Sequence, residues 1–356
     1  MYMRIGWLGA VLLFCVGCNR TSGHQKSPDS DTVTTFKTAV RVIEGDSEDE
    51  RAMSVAKRED SVTPKQVMGE QLRVQQERIL IEDWLRSAKL RRIKPVSSRS
   101  KSLRLIFSDG SSAIFKPLLK GDSSARLEVA FYRVAALLGV RHVPVSVMRP
   151  LYPDRFEGVL KLQGEEAAKA FLDAVATDDR GRVWGAMIEW MNGLSPLGAE
   201  DGQGRLDVNK IFTNKEFRDV WGPLSDAILL DYLLGNWDRF SGGNLFQISG
   251  TSELALIDHN EAFYRLNERQ QQKLDEALLA ICCPTPELIV RIRALTREDL
   301  ISAVKTTGWP GELLRPVEIG NILLRKDSLL DVIDSRLAAE ARGGKSGKKV
   351  KPVAFQ

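Results

Sequence analysis

At 356 residues the chain is long enough to bury a full core and to form two lobes or domains. Hydrophobic residues make up 43% and charged residues 28%, a balance that excludes a largely disordered or fibrous chain. Net charge is only +4, and much of the excess sits in Arg342, Lys345, Lys348, Lys349 and Lys351, so no basic face for nucleic acid is visible.

Arg4 precedes an apolar run, Trp7 to Val16, too short for a permanent membrane span and suited to the core of a secretory signal. The run closes at Val16-Gly17-Cys18, which resembles the end of a bacterial lipoprotein signal, although Cys15 stands where that pattern usually has Leu. The resemblance implies an exported, membrane-anchored protein (residues 1–18 as signal) with Cys18 lipidated. Acyl chains contribute roughly 0.8 kcal/mol per buried methylene, sufficient in combination to hold a protein on a membrane. Residues 19–64 are polar, few in aromatics and acidic from Glu44 to Glu50. They read as a disordered tether. Of the remaining cysteines, adjacent Cys282 and Cys283 suit neither a disulfide framework nor a zinc site.

From Lys65 to Ile93 the spacing predicts an amphipathic helix with Leu72, Ile79, Leu80, Trp84 and Leu85 inward, Trp84 and Leu85 being open to membrane contact as a second reading. Leu103 to Phe107 and Ser112 to Lys116 alternate as strands around Ser108-Asp109-Gly110, a hairpin turn. Lys116, at a strand end before Pro117, reads on periodicity alone as solvated surface. Asp122, Ser123 and Ser124 then offer a cap to a helix whose apolar stripe runs from Leu127 to Leu138 and stops at Gly139. Glu128 flanks that stripe, and taken alone it too reads as solvated.

Val143 to Met148 and Phe156 to Leu162 read as strands, Glu165 to Val175 as a helix, and Val183 to Trp190 as a further strand. Glu189 and Trp190 would begin the connection between lobes, where backbone groups can pair with an adenine edge. Beyond it the chain is helical: Leu206 to Phe217 in part, then Trp221 to Leu234, Asn267 to Ile281, Pro286 to Leu295, Arg297 to Thr306 and Ser328 to Ala341. Residues 343–356 are a basic tail.

The organising stretch is Asp231 to Phe263, DYLLGNWDRFSGGNLFQISGTSELALIDHNEAF. An apolar helix stops at Gly235 and a loop brings Asn236, Asp238 and Arg239; Asn244 follows, and a strand from Leu254 to Ile257 delivers Asp258. Two acids and an amide are the parts needed to hold a divalent metal on a triphosphate and to accept a hydroxyl proton.

Asn-x-Asp-Arg, an Asn six residues after that Asp and an Asp twenty after it resemble the atypical kinase lineage: secretory-pathway casein-type kinases, four-jointed kinases, HipA-like bacterial kinases and, more distantly, phosphoinositide 3-kinases. The block AIFKPLLKGDSSARLEVAFYRVAALLGVRHVPV, Ala113 to Val145, looks most like the secretory and four-jointed branch. The resemblance spans roughly Leu103 to Phe263. It implies an α+β, bilobed protein-kinase-like fold, with a first lobe within residues 65–190 and a mainly helical lobe in 191–342. By position it implies that Lys116 contacts the phosphates of ATP and Glu128 orients it. Asp238 would be the catalytic acid-base residue, Asn244 and Asp258 would hold Mg2+ or Mn2+, and Asn236 and Arg239 would shape the loop. The implied partners are a nucleotide and a protein Ser or Thr or a carbohydrate acceptor. Two departures stand out: Phe240 replaces the His that often follows Asp-Arg, and Asp258 precedes His259-Asn260. A pseudokinase or surface interaction platform and an AMP transferase remain as alternatives.

Overall fold

A five-stranded antiparallel sheet with helices packed against it forms the first half of the described chain. The computed structural model describes residues 64–96, 101–161, 164–197, 206–241, 243–306 and 308–343. The signal stretch with Cys18, the tether through residue 63 and the tail from residue 344 lie outside the described residues. Among the described residues no helix is long and apolar enough to cross a membrane.

The strands β1 (Leu90–Pro95), β2 (Leu103–Phe107), β3 (Ser112–Pro117), β4 (Ser146–Leu151) and β5 (Val183–Glu189) lie in the order β1-β2-β3-β5-β4. Period-two alternation buries Leu103, Leu105, Phe107, Ala113 and Phe115 on one face and leaves Arg104, Ile106, Ile114 and Lys116 half-buried on the other. The predicted turn closes the hairpin: Gly110 adopts φ 85°, and Asp109 Oδ1 accepts from the Ser111 amide at 3.0 Å.

Helix α1 spans Pro64–Ser87 and stops short of the predicted end, because the chain breaks out at Ala88-Lys89 to make edge strand β1, whose Ile93 pairs with Leu105. Its inward residues also differ. Leu72, Ile79 and Leu80 are exposed, whereas Leu85 is fully buried and Trp84 packs edge-on against Phe107 at 4.9 Å and donates to Asp109. Leu85 is therefore closed to a membrane, and Trp84 is half-buried with its ring and indole N–H engaged within the fold. The inward face of α1 carries a carboxylate, Glu82, which accepts from Tyr132 Oη at 2.9 Å and from Arg133 and Arg86. A polar residue in a core-facing position is what misdirects an apolar count.

Helix α2 (Ser124–Leu137) is buried over most of its circumference, with Ala125 to Tyr132 all buried. Burial of Glu128 overturns the solvated reading and follows from α2 being covered on three sides, by the sheet, by α1 and by the helical half. Phe156 to Leu162 is likewise not a strand. Asp154–Lys161 forms α3, since Asp154 starts a helix after Pro153 and Phe156 and Leu160, four apart, share its buried side. Helix α4 (Glu165–Ala174) follows as predicted.

The second half holds a small antiparallel sheet, β6 (Leu194–Pro196), β7 (Leu245–Ile248) and β8 (Leu254–Leu256), in that order. Helix α5 (Val208–Thr213) leads through a short 3-10 turn into α6 (Trp221–Leu234), buried on every side over its last turns. Around it stand α7 (Glu268–Ala280), α8 (Pro286–Ala294), α9 (Arg297–Ala303) and α10 (Pro316–Gly343). The last helix starts twelve residues before the predicted Ser328, at a proline, the residue best suited to a first helical turn. The architecture is α+β, a sheet-plus-helix half and a mainly helical half.

Candidate active site

Lys116 ends β3 on the half-buried face of the large sheet, and α2 brings Glu128 to it: Nζ lies 2.5 Å from Glu128 Oε1. The same ammonium lies 2.7 Å from Asp258 Oδ1, 142 residues further on. Asp258 reaches this position because its backbone is left-handed (φ 58°), which turns the chain out of β8. The next residue locks the arrangement, as the His259 amide donates to Glu128 Oε1 at 3.0 Å. Burial opposes the charge on Lys116, but the Glu128 and Asp258 carboxylates outweigh it and raise its pKa above the ordinary lysine value. The amine is a fixed cation at any neutral pH.

Arg239 organises the loop opposite. It is fully buried, and all its donor positions point at acceptors. Nε and Nη2 form a two-pronged pair with Asp231 at 2.9 and 3.1 Å, Nη1 donates to the carbonyls of Asn244 and Ile257 at 2.7 Å each, and Nη2 also donates to His259 Nδ1 at 2.9 Å. One side chain therefore ties the end of α6 to the start of β7 and to the residue before Asp258. Asn236 joins the cluster by donating from Nδ2 to Asp231 Oδ1 at 2.9 Å.

His259 stacks on Phe131 of α2, ring centroids 3.8 Å apart and 3° from parallel. Because Arg239 donates to Nδ1, the ring proton sits on Nε2 and goes to the Leu256 carbonyl at 3.1 Å. Burial, then Arg239 and Lys116, hold its pKa well below the usual histidine value. His259 is a neutral structural wedge and carries no proton for chemistry.

Asp238 and Asn244 stand at the open side of this loop, both half-buried. Asn244 Nδ2 donates to Asp238 O at 3.2 Å and to Asp238 Oδ2 at 3.3 Å, so its amide oxygen is the atom left to act as a ligand. The Ser241 hydroxyl donates to Asp238 Oδ1. The Ile257 amide donates to Asn244 O at 3.1 Å, which sets Asn244 beside the segment that carries Asp258. Glu261 adds a further carboxyl: burial, then the charges of Asp238 and Asp258, raise its pKa.

This donor set suits a hard divalent ion. A carboxylate and an amide oxygen are few enough to leave room for water and phosphate. Asp238, Asp258 and Glu261 also give the opening a negative field that Lys116 alone does not cancel, and a triphosphate would meet it unfavourably without a cation. Among the described residues no cluster of three or more His, Cys, Asp or Glu forms a metal cage.

Of the predicted residues, Lys116, Glu128, Asp258, Asn244, Asp238, Arg239 and Asn236 converge on one site. Glu189 and Trp190 lie apart, at the end of β5. The Glu189 amide donates to Val145 O at 2.9 Å and its carboxylate accepts from the Val145 amide at 3.3 Å, so that amide is not free for a base. Trp190 lies under the Arg104 guanidinium, 3.8 Å from its ring centroid, and donates to Asn192. Both line a cavity of about 300 Å3 with Ile81, Trp84 and Ser112. Sequence reasoning missed Asp231 as a partner, although a lone carboxylate between leucines in an apolar helix is the mark of a buried pair.

No family model and no curated protein matches the sequence. Solved structures do match. The Golgi casein kinase with manganese and ADP bound superposes with a TM-score of 0.54 at 16% identity, over 75% of this chain and 78% of that one. The Golgi casein kinase in a second structure gives 0.54 at 15% identity, over 79% and 78%. Hydra Fam20 with sugar gives 0.54 at 13% identity, over 74% and 89%. At these identities the likeness establishes the fold alone: the described chain shares the fold of the Golgi casein kinase and hydra Fam20 structures.

Proposed function

We propose that this chain is a phosphotransferase that moves the γ-phosphoryl group of ATP to a hydroxyl acceptor, a protein Ser or Thr ahead of a sugar, with Mg2+ or Mn2+. The observation that carries the reading is the convergence of Glu128 and Asp258 on the Lys116 ammonium, each within hydrogen-bond reach of Nζ, from three separate stretches of chain. Fold likeness to a kinase solved with Mn and ADP supports the nucleotide and metal.

Phosphoryl transfer demands positioning and charge neutralisation, because negative charge spreads over the oxygens of the transferred group. Lys116, held by Glu128, presents a permanent cation to the phosphates. Asn244 and Asp258 would hold the metal, whose contribution is further neutralisation of phosphate charge. Asp238 takes the acceptor's hydroxyl proton as the oxygen–phosphorus bond forms and ADP departs. Such a role is worth about 10²–10⁴ in rate.

The test is incorporation of γ-labelled phosphate with Mg2+ or Mn2+ in wild type and Asp238→Ala. Equal incorporation removes Asp238 from the mechanism, and label arriving only from α-labelled ATP identifies nucleotidyl transfer instead. A second reading, nucleotide binding without turnover, is favoured by the engagement of Asp258 by Lys116 and by Phe240. A metal-dependent nucleotide melting shift with no incorporation would support it. Lipidation of Cys18, and with it export to a membrane surface, belongs to the same proposal. Cys18→Ser should release the protein from membranes, and retention would reject the anchor.

A further inference from the structure

We propose that the buried pair Arg126–Glu318 is a positioning device that holds helix α2 against the helical half, so that Glu128 stays on Lys116; this rests on the phosphotransferase reading. Arg126 Nη1 donates to Glu318 Oε2 at 2.8 Å and to Leu313 O at 2.7 Å, and Nη2 donates to Glu318 Oε1 at 2.7 Å. This is a fork-on-carboxylate geometry, the strongest form of ion pair. The side chains keep only 10% and 2% of their accessibility.

Glu318 is itself fixed. It sits in the first turn of α10 and accepts from the Arg315 amide at 2.7 Å and from the Arg315 guanidinium at 2.7 and 3.1 Å. An immobile carboxylate thus anchors the second residue before Glu128 in the sequence. Two residues along a helix turn about 200°, so Arg126 reaches into the helical half while Glu128 faces β3. Further along α2, Tyr132 and Arg133 are held by Glu82 of α1. The helix is pinned between two buried carboxylates, one from each side, and Glu128 lies between the pins. Sliding or rolling α2 would separate Glu128 from Lys116 and from the His259 amide together.

Neither Arg126 nor Glu318 touches the reacting groups, so both act through Glu128. The test uses two variants in the full-length chain. Glu318→Gln keeps the shape and the bond from the Arg315 amide but removes the charge; Arg126→Ala removes the fork. Lys116 acylation by an amine-directed reagent is followed by mass spectrometry, with exposed Lys89 and Lys101 as internal references. The Lys116 side chain is mostly covered while Glu128 sits on it, and a helix that slips away opens the amine to the reagent, so Lys116 labelling is expected to rise by about threefold or more in both variants with the references unchanged. Initial phosphotransfer rates should fall on the order of tenfold, mainly in kcat, and Arg126→Lys should recover part of the loss. An unchanged Lys116 rate in folded variants, or an equal rise at all three lysines, overturns the proposal. If the wild type transfers no phosphate the phosphotransferase reading fails, and the Lys116 labelling still decides whether the pair positions α2.

Discussion

Arg239 and Asp231 form a two-pronged ion pair with both side chains inaccessible to solvent, eight residues apart across the end of α6. A charge so placed survives only while each partner is present. Arg239→Lys keeps the charge but cannot reach Asp231, Asn244, Ile257 and His259 together. Breaking such a pair costs about 3–5 kcal/mol, so Arg239→Lys and Asp231→Ala should each lower the urea midpoint markedly. Because the same guanidinium sets the carbonyls of Asn244 and Ile257, any folded fraction of Arg239→Lys should also bind metal and nucleotide less well. A calorimetric titration checks the second point.

Removing the cation from the opposite side has a pH signature. Burial already raises the Glu128 pKa above the ordinary carboxylate value, with Asp258 adding to the rise and Lys116 opposing it; in Lys116→Met the opposing cation is gone and the pKa rises further. A carboxyl with a raised folded pKa favours the fold at low pH and loses that contribution as pH climbs through the folded value. Lys116→Met should therefore be destabilised by roughly 3 kcal/mol at pH 8 and by less at pH 5. Chemical denaturation at the two pH values measures it. A deficit independent of pH would show that Glu128 has found another cation.

Metal dependence follows from Asp258. Asp258→Ala removes the carboxylate that lies 2.7 Å from Lys116 Nζ and that follows Ile257, whose amide donates to Asn244 O at 3.1 Å. The nucleotide melting shift should become independent of Mg2+ or Mn2+, and incorporation of labelled phosphate should drop by about 10² or more. A metal-dependent shift that persists would place the ion elsewhere.

The hairpin around Asp109-Gly110, the helix that carries Glu128 and the loop from Asn236 to Asp258 were legible in the sequence because each follows a local rule: alternation, a 3.6-residue stripe, a glycine stop. What joins them was not. Glu128 reads as solvated because its neighbours along the chain are ordinary, and its burial comes from three elements meeting on α2. Glu82 and Glu318, both core-facing, break the apolar pattern of α1 and α10, and so blur the inward face of the first and hide the start of the second. Phe156 and Leu160 fit a strand or a helix in isolation, and only Asp154 after Pro153 decides between them. Long-range pairs such as Arg126–Glu318, 192 residues apart, leave no trace in local periodicity.

Gly235 ends α6 with φ 71°, a conformation costing other residues about 1–2 kcal/mol. A Cβ there would also stand 2.9 Å from the Arg325 guanidinium, which donates to Leu233 O at 2.9 Å and so satisfies the helix end. Gly235→Ala should cost more than the backbone term alone. The companion variant Arg325→Met removes the obstruction, and its double-mutant cycle with Gly235→Ala should show coupling of about 0.5–3 kcal/mol. Additive losses in thermal melts would mean that the guanidinium moves aside freely.

Acid should weaken the fold through histidines buried neutral. His142 lies between the sheet half and β8, where its carbonyl accepts from the Leu256 amide at 2.8 Å. Burial, with Arg141 and Arg78 nearby, lowers its pKa to about 4 against the opposing effect of a hydrogen bond to the Leu254 backbone. His259, also depressed, acts in the same direction. In the unfolded chain both titrate near 6.5, so between that value and 4 the unfolded state binds more protons. The stability that these histidines contribute is complete above about pH 7 and declines as pH falls toward 4, by on the order of 3 kcal/mol from His142 alone. His142→Gln should flatten this decline while leaving the midpoint at pH 8 nearly unchanged, since an amide can still donate to the Leu254 carbonyl. Because β8 delivers Asp258, the wild type's metal-dependent nucleotide shift should fade over the same pH window as its stability. A metal-dependent shift that holds constant down to pH 5 would separate the site from this strand.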